Sequence, residues 1–200
     1  MGIDFKNENI SDIDFCEKNY TIHLDLSEGE NPFLDDGYEF NINYLKIVHK
    51  NAIKIFEDLF FDSGSIDIVH LNYLYDNKFR KTRFSDKYTV LDKDITPKLK
   101  CYKNYEDIVI YEFNYNDINL SDIKYKKLLK SICNQDFKGK YPTINQRENY
   151  SSIYFLEASH KFLYHLYDDR GLWLYFENEE TYSHFKEKYN NLLLNICDEN

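Results

Sequence analysis

The sequence predicts a single α+β domain, residues 1–200, with a mainly antiparallel sheet of about five or six strands and three principal helices packed on it. Three observations predict it. Short runs that alternate apolar and polar residues recur along the chain between turn residues. Three longer stretches repeat apolar residues at helical spacing. The last third, at about 152–197, reads as strands joined by tight turns, a β-meander that closes with a helix. Two hundred residues with 42% hydrophobic content are enough for one core. No internal repeat or low-complexity linker divides them.

Residues 20–26 carry Ile22, Leu24 and Leu26 alternating with Thr21, His23 and Asp25, the period of a half-buried strand. An acidic loop follows, with Glu28, Gly29, Glu30, Asn31 and Pro32, then Asp35, Asp36 and Gly37. Such a loop can carry function or simply connect. Asn41 is a good N-cap, and Leu45, Val48, Ala52, Ile55, Phe56 and Leu59 then recur at helical spacing to about Phe61. Ser63 and Gly64 break that helix, and the bulky and β-branched residues from Ile66 to Leu74 make a second strand.

A basic stretch comes next: Lys78, Arg80, Lys81 and Arg83, interleaved with Phe79 and Phe84. Cations that take phosphates beside rings that stack on bases fit a nucleic-acid site, and equally an exposed hairpin or linker. Residues 107–115 read as a third strand. Ser121 is placed to cap a helix that buries Tyr125, Leu128, Leu129, Ile132 and Cys133 and turns Lys124, Lys126, Lys127 and Lys130 to solvent. A strand around Ile153 and Phe155, a turn at Ala158, Ser159, His160 and Lys161, and a return strand at 162–167 follow. Asp168, Asp169, Arg170 and Gly171 form a second turn, with Gly171 free to take a positive φ. Residues 172–176 make the last strand, and Asn178 caps a helix with Tyr182, Phe185, Tyr189 and Leu192 on one face.

The formal net charge is -10, with 11 acidic and 4 basic side chains in residues 1–50, and 9 and 4 in residues 151–200. Acidic flanks repel phosphates and anionic membranes and speed encounter with basic proteins. They also keep a chain with 19 Tyr and 15 Phe soluble. Cys16, Cys101, Cys133 and Cys197 lie far apart without zinc-ligand spacing, and the acidic N-terminus is not a signal peptide. Reduced thiols, a cytoplasmic location and no membrane anchor are expected.

Asp168 and Asp169 are the obvious carboxylates for acid/base or metal chemistry. Neighbours on a strand diverge, however, and no further carboxylate has ligand spacing. The economical reading is structural, with the aspartates accepting turn N–H groups and Arg170 pairing with one of them. His165 beside Asp168, with Cys133 as nucleophile, makes a conceivable dyad, although nothing in the sequence brings Cys133 there. Trp173 is a core residue or an interface anchor. No dinucleotide, P-loop, nucleophile-elbow or zincin motif is present.

The stretch Tyr164, His165, Leu166, Tyr167, Asp168, Asp169, Arg170, Gly171 resembles the uncharacterised bacterial family catalogued as domain of unknown function 3885. Ser152 to Phe155, Tyr182 to Asn195, Ile22 to Asp25, Ile55 to Phe60 and the pair Ile68, Val69 also resemble it. Leu172, Trp173 and Leu174, and Leu192 to Asn195, depart from its pattern. The family brings no established activity; small acidic α+β proteins of this kind resemble immunity proteins of bacterial toxin systems.

The expected function is therefore protein binding: neutralisation of a cognate toxin by occluding its basic active site. Glu28, Glu30, Asp35, Asp36, Glu177, Glu179 and Glu180 would supply complementary charge. No cofactor or metal is expected. One alternative is a small enzyme around Asp168, Asp169, Arg170 and His165. The other is nucleic-acid binding through residues 78–83 and the lysine-rich helix face.

Overall fold

One antiparallel sheet organises the computed structural model, which describes residues 2–3, 9–34, 37–74, 84–90, 95–103, 108–144, 150–159 and 161–194. Its strands are β1 (Thr21–Asp25), β2 (Ile66–Leu74), β3 (Lys98–Lys103), β4 (Val109–Ile118), β5 (Tyr150–Glu157), β6 (Phe162–Leu166) and β7 (Gly171–Phe176). They lie in the order β1-β7-β6-β5-β2-β4-β3. Among the described residues the sheet thus has seven strands, not five or six. The additional one is β3, whose lysine-rich, almost wholly exposed residues lack the apolar alternation that marks a strand in sequence.

The helices are α1 (Ile42–Phe60), α2 (Phe84–Tyr88), α3 (Tyr125–Cys133) and α4 (Glu179–Lys188). The three principal ones, α1, α3 and α4, cover one face of the sheet, and α2 is barely one turn. Period-two alternation sends Ile153 and Phe155 of β5, and Tyr164 and Leu166 of β6, into the core beneath α1. Tyr154, Leu156, Leu163 and Tyr175 face the other side, where Ile3, Ile10 and Phe15 of the N-terminal segment cover them.

Phe56 of α1 anchors the helix layer. Its ring meets Phe155 at 5.1 Å and Tyr164 at 5.4 Å, both edge-on. The Tyr164 hydroxyl donates to the Ala52 carbonyl at 2.9 Å, so a buried polar group is satisfied where strand meets helix. The Asn41 side chain accepts from Asn43 N–H and starts α1, as expected. Asn178 likewise caps α4, its side chain accepting from Thr181 N–H at 2.9 Å. Ser121 caps no helix: it sits in a 3₁₀ turn (Leu120–Asp122), and α3 begins after Lys124.

Two further expectations change. Cys101 and Cys133 are free thiols, but Cys16 is disulfide-bonded. Gly171 opens β7 instead of closing the turn, and its φ is not positive. The requirement for glycine is steric: a Cβ there would lie 2.5 Å from the Leu24 carbonyl oxygen and 2.6 Å from the Tyr167 hydroxyl. Gly64 has nothing within 4 Å of such a carbon. Gly171→Ala is expected to cost about 2–4 kcal/mol by forcing β1 and β7 apart, and Gly64→Ala about 0.5 kcal/mol or less. Urea denaturation of both variants checks the contrast.

Candidate functional site

The four residues between β6 and β7 are held from three directions. Within the turn, Asp168 Oδ1 accepts from Arg170 N–H at 2.8 Å, and Oδ2 accepts from Arg170 Nε at 2.8 Å and from Nη2. The arginine thus closes the loop on its own carboxylate, as the structural reading expected. From α1, the Tyr44 hydroxyl donates to Asp169 Oδ2 at 2.5 Å. From the end of α3, Gln135 Nε2 donates to the Tyr167 carbonyl at 2.6 Å.

Asp136 follows Gln135, and its carboxylate joins those of Asp168 and Asp169, with one oxygen from each lying within 4.8 Å of the others. By spacing, these three are, among the described residues, the ones that could hold a metal ion. Arg170, however, engages both oxygens of Asp168. Asp168 and Asp169 are buried, whereas Asp136 is exposed. Burial raises the Asp169 pKa, opposed by the Tyr44 hydrogen bond and reinforced by Asp168. Burial and Asp168 also raise that of Asp136, against Arg170.

A cleft of about 530 Å³ opens beside this turn, lined by Asp25, Glu30, Tyr44, Asp136, Asp169 and Arg170 together with Ser27, Pro32, Phe137 and Leu194. Asp25 ends β1 and caps the next turn, accepting from Ser27 N–H at 2.8 Å. Glu30 reaches the cleft from the acidic loop and accepts from Asn41 Nδ2 at 3.1 Å. The loop and the turn, 140 residues apart in sequence, therefore share one concave surface.

Other sequence candidates lie elsewhere. The Glu28 carboxylate accepts from the buried Asn51 amide at 2.8 Å. Glu177, Glu179 and Glu180 are exposed at the opposite end of β7, about 17 Å along the strand from Gly171; the last two lie in the first turn of α4, where its dipole favours negative charge. Asp35, Asp36 and residues 78–83 lie outside the described residues. Tyr164 is part of the core. Tyr125 and Lys126 on α3 both engage Glu57.

His165 faces away from the carboxylates, on the sheet side covered by the N-terminal segment. Its ring stacks on Tyr154 at 4.0 Å and on Phe15 at 5.8 Å, and neither ring nitrogen has a hydrogen-bond partner among the described residues. One row across β1, β7 and β6 aligns His23, Trp173 and His165, with the His23 and Trp173 rings stacked at 4.0 Å. Tyr167 belongs to this side too, its hydroxyl 2.8 Å from His23 Nε2. Cys133 lies close enough to feel Asp169 and Asp168, but burial first and these charges second push its thiol pKa up, the reverse of nucleophile activation.

Sequence reasoning missed Asp25, Tyr44, Asp136 and Phe137. Asp25 and Tyr44 were visible as a strand terminus and the first turn of a capped helix; nothing local marks Asp136 or Phe137.

A family model described as "Domain of unknown function (DUF3885)" matches residues 3–197. The chain belongs to the DUF3885 family. Over 167 residues, 75% of this DUF3885 chain and 74% of the relative, it is 26% identical to a Bacillus subtilis (strain 168) protein described as "Uncharacterized protein YnaE". No solved structure matches it. Among the described residues no helix is long and apolar enough to cross a membrane.

Two outcomes follow from the electrostatics. Burial lowers the pKa of His165 to about 3 and those of His23 and His70 to about 4, with Asp25 partly opposing at His23. The unfolded chain then binds protons more readily, so the stability these neutral rings contribute is complete above the ordinary value of 6.5 and is lost as pH falls toward 4 and 3. Asp169 and Asp136, with raised pKa values, act oppositely: their contribution is present at low pH and fades as pH rises through the carboxylate range. Denaturant titrations across this range should show the histidine-driven loss dominating, with a shallower slope for His165→Phe. Tyr44→Phe removes the one side-chain donor to Asp169 named above and is expected to cost about 1–3 kcal/mol in the same assay at neutral pH.

Proposed function

We propose that the protein binds a basic protein partner through the cleft beside the β6–β7 turn, most concretely neutralising a cognate bacterial toxin by occluding the toxin's basic active site. The observation that carries this reading is the convergence of Asp25, Glu30, Asp136 and Asp169 on one open surface, with the rings of Tyr44 and Phe137 in its wall. A lysine or arginine entering there meets carboxylates for ion pairs, with the half-buried Phe137 beside them. Arg170 does not cancel the cleft's charge, because its guanidinium is already paired with Asp168. Glu177, Glu179 and Glu180 add long-range attraction from the far end of β7 and make no contact in this arrangement. The reading places the protein in the cytoplasm and requires no cofactor.

The alternative of an enzyme gathered around Asp168, Asp169, Arg170 and His165 draws no support from the arrangement, since His165 faces the other side of the sheet. Nucleic-acid binding through Lys78, Arg80, Lys81 and Arg83 gains nothing from the described residues.

The partner to test is the product of any toxin-like gene found beside this one, by calorimetry at low and high ionic strength. Salt-sensitive binding is expected, weakened about tenfold or more by Glu30→Lys combined with Asp136→Lys. Both side chains are exposed, so the variant should retain the fold. Absence of binding, or binding indifferent to both changes, overturns the reading.

A further inference from the structure

The sheet has two edges, and the chain treats them differently. Along β1 it closes the edge itself: Leu193 forms an antiparallel bridge with Leu24, and Leu194 N–H donates to the His23 carbonyl at 2.9 Å. At the other edge β3 pairs with β4 from Lys98 opposite Asn114 to Lys103 opposite Val109. Among the described residues, 98–102 make no backbone hydrogen bond beyond that ladder. In an antiparallel edge strand, alternate residues then direct their N–H and C=O groups outward, a template for one more strand.

The side chains of β3 say what kind of strand fits. Lys98, Lys100 and Tyr102 lie on the face covered by the N-terminal segment, where the Tyr102 hydroxyl donates to Ser11 Oγ at 3.2 Å. Leu99 and Cys101 lie on the other face; Leu99 is 52% exposed and Cys101 carries a free, exposed thiol. The strand contains three lysines and no acid, in a chain whose net charge is -10. Lys100 has a partner in Glu112, at 3.0 Å, but Glu112 sits on β4 and leaves the outer flank basic.

We propose that the open edge of β3 accepts an extended, acidic segment of a partner protein as an eighth strand. Acids at every second position would face Lys98 and Lys100, and apolar residues between them would pack beside Leu99 and Cys101. A second copy of this chain fits poorly, because antiparallel pairing of two β3 strands sets lysines against lysines. The edge lies six strand spacings from β1, about 29 Å from the acidic cleft. It is therefore a separate surface whose failure would leave the cleft reading untouched.

The probe is a labelled, end-blocked octapeptide alternating glutamate and valine, measured by fluorescence anisotropy at low ionic strength. Saturable binding is expected, about tenfold or more tighter than that of a peptide with the same residues in two blocks. Amide hydrogen exchange should slow within residues 98–102 in the complex. Lys98→Glu and, separately, Leu99→Asp should each weaken binding, and both leave the Lys100–Glu112 pair intact. No binding, equal binding of the block peptide, or indifference to both variants overturns the proposal. So does concentration-dependent dimerisation, by sedimentation, that protects the same amides without peptide.

Discussion

The Leu24 carbonyl oxygen approaches Gly171 so closely that no side chain fits between β1 and β7, and the acidic cleft depends on that approach. Among the described residues β1 is joined to the sheet through β7 alone, with Asp25 opposite Gly171 at the end of the ladder. This pairing brings Asp25, Ser27 and the loop holding Glu30 beside the turn that carries Asp169 and Arg170. Without it, the acidic loop and the turn would be separate surface features. The glycine that ends the family-like motif is there for a backbone contact, not for a turn conformation.

The turn shows how a run of charge can be made structural. Asp168 is neutralised within two residues of its own position by Arg170, and Asp169 is held by a tyrosine from the first turn of α1. Buried carboxylates left without such partners would be costly. Their arrangement fixes where α1, α3 and the β6–β7 turn meet, and it places the exposed Asp136 at the rim. Across the sheet the opposite economy holds: His23 and His165 sit among rings as neutral aromatics, and acid is what exposes their cost.

Much of this architecture was legible wherever the alternation of apolar residues was strong. Asn41, Asn178, the break at Gly64, and the meander around residues 168–171 all announce themselves through local chemistry. The strand β3 did not, because an edge strand with lysines on one side and little core on the other carries no hydrophobic period. Ser121 misled because its hydroxyl precedes an apolar helix by the usual spacing, yet a 3₁₀ turn intervenes. The cleft was legible in halves, Glu30 in a loop and Asp169 in a turn. Their meeting is a long-range pairing that local pattern does not encode. His165 was read with Asp168 because they are three residues apart, whereas strand alternation sends the histidine to the other face.

The cover over the second face of the sheet comes from residues that precede β1 in sequence, Ile3, Ile10 and Phe15. Ile3 N–H donates to the Tyr175 hydroxyl at 3.2 Å across 172 residues of sequence, and Phe15 stacks on Trp173 at 5.5 Å. During synthesis the residues that shield this face emerge before β6 and β7, which they must cover. Closure of the second core is therefore postponed until translation of the meander is complete. Native contacts of such sequence separation slow the search for the folded state, so Ile3, Ile10 and Phe15 wait without their partners until the meander has been made.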